Sequence, residues 1–371
     1  VTTLDTLYER FGQSPWIDNI RRDWLDDGTL AHLVERGVRG VTSNPSIFAK
    51  ALATSSAYDA AVAAHADLGT EELFETLAVG DVRDACDVLS AVHRDAAADF
   101  DAGRRRYGDG FVSLEVSPRL AHDTEATVSA ALRLAAAVDR PNALIKIPAT
   151  LEGLPAITAV LGAGVNVNVT LIFSIARYSQ VLDAWMAGLE FAAANGHDLA
   201  RLASVASFFV SRVDTAVDAL LGDTDPRRGT TANAQAARAY QLYRDRVGGE
   251  RVSELLAAGA QVQRPLWAST SVKNPAYDEL LYVERLVADE TVNTMPDATL
   301  DATLARGTFD SSPLLEPAAT SAVAFLVDDL PTTISLEAVT DRLEAEGVAS
   351  FAASYEELLA TLEAKLARTG P

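Results

Sequence analysis

The sequence predicts an α/β fold: a closed ring of eight parallel strands surrounded by helices, the (β/α)8 or TIM barrel. Two observations carry that expectation. Eight short β-like runs alternate with Ala-, Leu-, Arg- and Asp-rich stretches of helical period. Such alternation argues a parallel sheet with helical crossovers, and eight units suit a closed barrel better than an open sheet. The second observation is that several runs place polar or ionisable residues near their C-terminal ends, where barrel enzymes keep their reactive groups.

The runs, in order, are "SPWIDNI" (14–20), "GVRGVTSNPS" (37–46), "GFVSLEVSP" (110–118), "NALIKIPAT" (142–150), "GVNVNVTLIF" (164–173), "LASVASFFV" (202–210), "QRPLWAST" (263–270) and "TVNTMP" (291–296). Between the second and third, residues 51–108 read as an inserted layer of helices. "GDTDPRRGTTANAQ" (222–235) is the most loop-like stretch, an exposed excursion followed at once by helical sequence. From about 298 the chain reads as a helical tail, with "SLEAVTDRLEAEG" and "SYEELLATLEAKLA" apolar at helical spacing. No linker or solenoid repeat interrupts the pattern, so residues 1–371 are expected to form one barrel domain with helical additions.

Composition narrows the function classes. The 371 residues are 49% hydrophobic, enough for a large core, and carry a net charge of -21. Such a chain repels nucleic acid and anionic membrane surfaces, so an anionic ligand would need a local cluster of Arg or Lys. The single cysteine, Cys86, excludes an intrachain disulfide and reads as a buried thiol, consistent with a reducing cytoplasm. The N-terminal "VTTLDTLYERFG" lacks the basic and apolar regions of a signal peptide, and no apolar run reaches a membrane span. The five histidines show no paired-ligand spacing, and no metal site is expected. No Walker loop, dinucleotide fingerprint or nucleophile elbow is present, and "RRR" (104–106) reads as a solvated loop or helix end.

Period-2 reading exposes a candidate site. In "GVNVNVTLIF", Val165, Val167 and Val169 share one face, and Asn166, Asn168 and Thr170 the other. The outer face of a parallel barrel packs under helices and must be apolar, so the Asn/Asn/Thr face points into the lumen. "GFVSLEVSP" repeats the pattern, with Ser113, Glu115 and Ser117 opposite Val112, Leu114 and Val116. Lys146 sits in the apolar run "NALIKIPAT" on the face of Leu144. Asp18 follows Ile17; Thr42 and Asn44 share a face just before Pro45, which is read as ending the strand. Ser207 and Phe209 share a face, and Arg212 lies past the strand end. Each residue alone has a structural reading, such as a buried ion pair or a satisfied core amide. Their coincidence at successive strand ends points instead to one pocket.

The residue types suggest a chemistry. A free lysine, with pKa about 10.4, is nearly all charged at neutral pH, and removal from water favours the neutral, nucleophilic amine. Lysine with two carboxylates and neutral hydrogen-bonding groups suits Schiff-base chemistry on a carbonyl, with Glu115 and Asp18 moving protons.

At these residues the sequence resembles the transaldolase family. The blocks "VTSNPSIF", "SLEVSPRLAHDT", "LIKIPATLEGLPAI", "NVNVTLIFS", "SFFVSRVD" and "TVNTMPDATL" look like that family's, in its order, and "SPWIDNI" extends the likeness back to residue 14. The resemblance implies a cofactor-free, cytoplasmic class I aldolase barrel, which moves a dihydroxyacetone unit between sugar phosphates in the pentose phosphate pathway. It implies that Lys146 forms the Schiff base and that Asp18 takes the C4 hydroxyl proton as C3–C4 breaks. Glu115, through a water near Thr170, would assist imine formation and hydrolysis. Asn44, Asn168 and Ser207 would hold the three-carbon fragment, with Thr42 and Phe209 beside it, and Arg212 would grip the sugar phosphate. Many relatives bring a second Arg soon after a Ser following strand seven. Here the loop reads "WASTSVKNP", so Lys273 with Ser269 is expected to do that work. The expected partners are therefore sugar phosphates, with the chain a monomer or homodimer. The rival readings are another Schiff-base sugar-phosphate aldolase and an inactive sugar-phosphate-binding barrel.

Overall fold

The structure, a computed structural model, describes residues 2–369; Val1, Gly370 and Pro371, the ends of the expected domain, lie outside the described residues. Seven strands form one parallel sheet: β1 (Gln13–Ile17), β2 (Val112–Glu115), β3 (Ala143–Pro148), β4 (Val167–Ile172), β5 (Ser204–Phe209), β6 (Arg264–Ala268) and β7 (Thr291–Met295). They run in the order β1-β7-β6-β5-β4-β3-β2. The ring closes through Val41, which forms parallel bridges to Ile17 of β1 and Val112 of β2.

The second expected strand, 37–46, is thus reduced to a single-residue bridge. It still does a strand's work. Its backbone bonds one way to Pro15 and Ile17 and the other way to Phe111 and Ser113. Gly40 makes this approach possible, because a Cβ there would sit 2.3 Å from the Trp16 ring. What cuts the strand short is Asn44. The sequence reading put it on the strand, but it is the N-cap of helix Pro45–Thr54, with Pro45 in the first turn. Its Oδ1 accepts a hydrogen bond from the Ile47 N–H at 3.0 Å. Asn followed by Pro is a helix-start signal, and it outweighs the β character of the preceding valines.

Between Val41 and β2 the chain forms four helices, Pro45–Thr54, Asp59–Ala64, Thr70–Val88 and Ser90–Asp101. Cys86 is buried in the third, and burial pushes its thiol up to about 12. Arg104, Arg105 and Arg106 pair with Asp99, Asp289 and Glu290, so "RRR" is no free basic patch. The excursion at 222–235 is shorter than expected, since helix Thr231–Val247 begins inside it.

The strands are buried, with Val167 and Val169 fully so beneath the helical layer. β4 is irregular. Its register against β5 shifts between Val169 and Ile172, and Leu171 has φ 59°, the left-handed region that branched side chains avoid. The C-terminal helix, Leu336–Thr369, lies along Pro45–Thr54 and also touches β4, the helix Ser211–Asp218 and the 3-10 turn Pro118–Leu120. Among the described residues no helix is long and apolar enough to cross a membrane.

The N-terminal pole of the barrel is closed by a polar plug. Asp109 is fully buried and accepts from Ser14 Oγ, Trp16 Nε1, Arg39 Nε and Arg264 Nη2. Burial alone would raise this carboxyl, but Arg264 and Arg39 hold it below the ordinary value. A buried carboxylate is tolerable only when paired and hydrogen-bonded in this way.

Candidate active site

At the opposite pole, strand register does the positioning. β2 and β3 pair Glu115 with Lys146, and β3 and β4 pair Lys146 with Asn168 and Pro148 with Thr170. Neighbouring strands thus deliver carboxylate, amine and amide side by side. Lys146 Nζ donates to the Ser43 carbonyl at 2.8 Å and lies 3.3 Å from Glu115 Oε2. The two side chains are only 5% and 6% exposed. Ser207 Oγ donates to Asn168 Oδ1 at 2.7 Å, and Asn168 Nδ2 donates to Ser113 Oγ at 3.0 Å, so β2, β4 and β5 are tied across the lumen. Thr170 Oγ1 is buried with no protein partner among the described residues, a hydroxyl left for a ligand or water.

Asp18 lies one residue past β1 and is held by its backbone N–H on the Met295 carbonyl at 2.8 Å. Thr42 Oγ1 donates to Asp18 Oδ1 at 2.6 Å and is itself 2.6 Å from Thr294 Oγ1. Burial pushes the Asp18 carboxyl upward; Lys146, the Thr42 hydroxyl and Arg212 oppose that, and Asp297 adds to it. Burial likewise raises Glu115, with Lys146 pulling down and Asp18 pushing up. Both acids therefore sit above the ordinary carboxylate range, which suits groups that must accept and return protons near neutral pH.

The outer part of the site is cationic. Arg212 packs its guanidinium 5.4 Å from the centroid of Phe209 and makes no ion pair among the described residues. Burial lowers its pKa against the pull of Asp18 and Glu346. Lys273 donates to Ser271 Oγ at 2.6 Å, and its pKa is lowered by burial and then by Arg212. Two cations that repel each other, neither of them in an ion pair among the described residues, form a place for an anion. Ser269, one residue past β6, lies in the left-handed region, φ 57°, and its carbonyl accepts from the Ser211 N–H at 3.1 Å. That contact fixes the start of the Lys273 loop against the helix that carries Arg212.

A cavity of about 170 Å³ joins these parts. Of the residues singled out in the sequence, Asp18, Thr42, Asn44, Lys146, Thr170, Ser207, Phe209, Arg212, Ser269 and Lys273 line it. Glu115 and Asn168 stand behind the wall, in contact with Lys146 and Ser207 respectively. Sequence reasoning missed Thr294, Ser271 and Phe351, which also line the cavity. Thr294 lies in "TVNTM", where both faces carry polar residues and period-2 reading singles out neither. Ser271 sits in a loop and Phe351 in the C-terminal helix, and neither carries a local signal.

A (β/α)8 barrel with a lysine, two raised carboxyls and a basic rim at the C-terminal face of its strands defines an enzyme of the aldolase kind. Comparison with known proteins agrees. The model of the transaldolase/fructose-6-phosphate aldolase family matches residues 15–362. A protein of Saccharopolyspora erythraea named transaldolase is 49% identical, covering 96% of this chain and 95% of its own length. Transaldolase 1 of Streptomyces coelicolor is 48% identical over 97% and 94%, and the transaldolase of Thiobacillus denitrificans 48% over 95% and 98%. The chain belongs to the transaldolase/fructose-6-phosphate aldolase family.

Proposed function

We propose that this protein is a transaldolase, moving a dihydroxyacetone unit from a ketose phosphate to an aldose phosphate through an imine on Lys146. The donor would be sedoheptulose 7-phosphate or fructose 6-phosphate, and the acceptor glyceraldehyde 3-phosphate or erythrose 4-phosphate. The observation that carries the reading is a buried amine paired with Glu115 and acting on Asp18, in one cavity with a basic rim that has no ion-pair partner among the described residues.

Lys146 attacks the C2 carbonyl, and Glu115 moves the protons that let the carbinolamine lose water. Thr170, with its unpartnered hydroxyl, holds that water. Asp18 takes the C4 hydroxyl proton; the C3–C4 bond breaks, and its electrons pass into the iminium to leave an enamine. Asp18 Oδ1 is engaged by Thr42, while Oδ2 has no protein partner among the described residues and is the oxygen free for substrate. The aldose phosphate leaves from Arg212 and Lys273. A second aldose binds there, the enamine carbon attacks its aldehyde, and Asp18 returns its proton to the new hydroxyl. The water at Thr170 then adds to C2 of the new iminium, and Glu115 moves the protons that release the ketose phosphate and the Lys146 amine. Asn44 and Ser207 hold the three-carbon unit throughout, with Asn168 fixing the Ser207 hydroxyl from behind. No cofactor takes part.

A second reading, an aldolase that releases the three-carbon unit, is kept because the family's description includes fructose-6-phosphate aldolase. The relatives named transaldolase, at 48–49% identity over nearly the whole chain, favour transfer. The test is to incubate the protein with fructose 6-phosphate, reduce with borohydride and map the adduct. The expected adduct is on Lys146; a tag elsewhere, or activity without any tag, would overturn the mechanism.

A further inference from the structure

The C-terminal helix presents one buried stripe, Leu343, Gly347, Phe351, Tyr355, Leu358 and Leu362, at spacings of three and four residues. Phe351 is 4% exposed although Ser350 and Ala353 beside it are exposed, and it is the one residue of this helix that lines the Lys146 cavity. The helix is pinned on both sides of it. Glu344 pairs with Arg177 at 3.2 Å, Ser354 bonds Ser46 at 2.7 Å and Glu356 pairs with Arg119 at 2.7 Å. One turn before Phe351, a Cβ on Gly347 would sit 3.1 Å from Leu171 Cδ2 and 3.4 Å from the Phe173 ring. The helix therefore lies close on the bulge that follows Thr170, where Leu171 has its left-handed backbone.

The wall Phe351 supplies is apolar, in a cavity otherwise lined largely by hydroxyls, amides and charges. It has no proton to give and no hydrogen bond to offer water. We propose that Phe351 sets the fate of the three-carbon intermediate: it keeps bulk water from the Lys146 enamine, so that an incoming aldehyde captures it before release. This rests on the transaldolase reading above. In release, the enamine carbon takes a proton and water adds to C2 of the resulting iminium. Dihydroxyacetone then departs and the Lys146 amine is regenerated. In transfer, the same carbon bonds the aldehyde carbon. Transfer too ends with water adding to C2 of the product iminium, but only after the new carbon–carbon bond has formed. The branches part at the enamine carbon, where a proton delivered by bulk water commits the unit to release, so keeping bulk water from that carbon favours transfer.

The experiment measures free dihydroxyacetone formed from fructose 6-phosphate alone, and transfer to erythrose 4-phosphate, for the same preparation. The ratio of the two is internal, so a loss of folded enzyme does not move it. Phe351→Ala is expected to raise the release-to-transfer ratio about tenfold. Phe351→Leu, which keeps the stripe apolar but shortens the plug, is expected to raise it about threefold and carries the test if the alanine variant does not fold. An unchanged ratio in the leucine variant, with borohydride still tagging Lys146, overturns the role of Phe351 and leaves the transaldolase reading standing. Absence of the Lys146 tag in the unaltered protein overturns both.

Discussion

Replacing Lys146 by methionine removes the amine and, on this structure, also strands a buried carboxylate. At 3.3 Å and an effective dielectric near 20, the Lys146–Glu115 attraction is about 5 kcal/mol before desolvation is set against it. Breaking one side of such a buried pair costs about 3–5 kcal/mol. With roughly 2.1 cal/mol/K per residue of unfolding entropy over 371 residues, that is a fall of about 5 °C in Tm. The loss has a pH signature. Burial already raises Glu115 above its ordinary value, and Lys146 is the group that opposes it. Without Lys146 the folded-state pKa rises further. A carboxyl raised on folding carries no penalty below its unfolded pKa of about 4.3, and the penalty grows as pH rises toward the folded value. Thermal melting of Lys146→Met against the unaltered protein should therefore show a small gap near pH 4.5 and the full gap near pH 8. Adding Glu115→Gln should close most of it. A gap that stays constant with pH, or one that Glu115→Gln does not relieve, would refute the ion-pair account of how this lysine is held.

Two further predictions concern the rim and the general base. Arg212→Ala should raise KM for fructose 6-phosphate about 10–100-fold, as loss of a charged hydrogen-bonding partner does, with less effect on binding of unphosphorylated dihydroxyacetone; Lys273→Ala, at the exposed end of the pair, should raise it less, and equal losses for both ligands would mean the pair does not hold the phosphate. Thr294→Val should shift the acid limb of kcat/KM upward by about half a pH unit, because an unsupported Thr42 stabilises the Asp18 carboxylate less well. Thr294→Ser should leave the limb in place, and a valine variant with an unmoved limb refutes the relay. The other charges facing Asp18, namely Lys146, Glu115, Asp297, Arg212 and Lys273, are unchanged in both variants.

The centre of the site was legible because strand period and strand register are local consequences of a buried parallel sheet. Glu115, Lys146 and Asn168 could be assigned to the lumen from alternation alone, and neighbouring strands then had to bring them together. Asn44 was found as a site residue but given to the wrong element, since valines at 38 and 41 outweighed the Asn-Pro helix start in that reading. Thr294 was obscured by its neighbours. Thr291 and Asn293, on the opposite face of β7, are also polar and buried, satisfied by the Ala288 and Tyr282 carbonyls. Alternation gave no apolar face to choose. Phe351 belongs to a helix stripe whose other members are ordinary core, and only the path of the helix across the mouth distinguishes it.

Polar residues inside strands do not by themselves mark chemistry in this barrel. Ser14 on β1 and Arg264 on β6 are as buried as Lys146, yet they close on Asp109 at the N-terminal pole, where every hydrogen-bonding group named here finds a protein partner. At the C-terminal pole, Arg212 is in no ion pair among the described residues. The two ends share residue types and differ in how their charges are paired. A plug stabilises the fold by pairing its buried charge, as Asp109 does with Arg39 and Arg264, whereas a site for an anion must leave a cation unpaired, and Arg212 is where this protein leaves one.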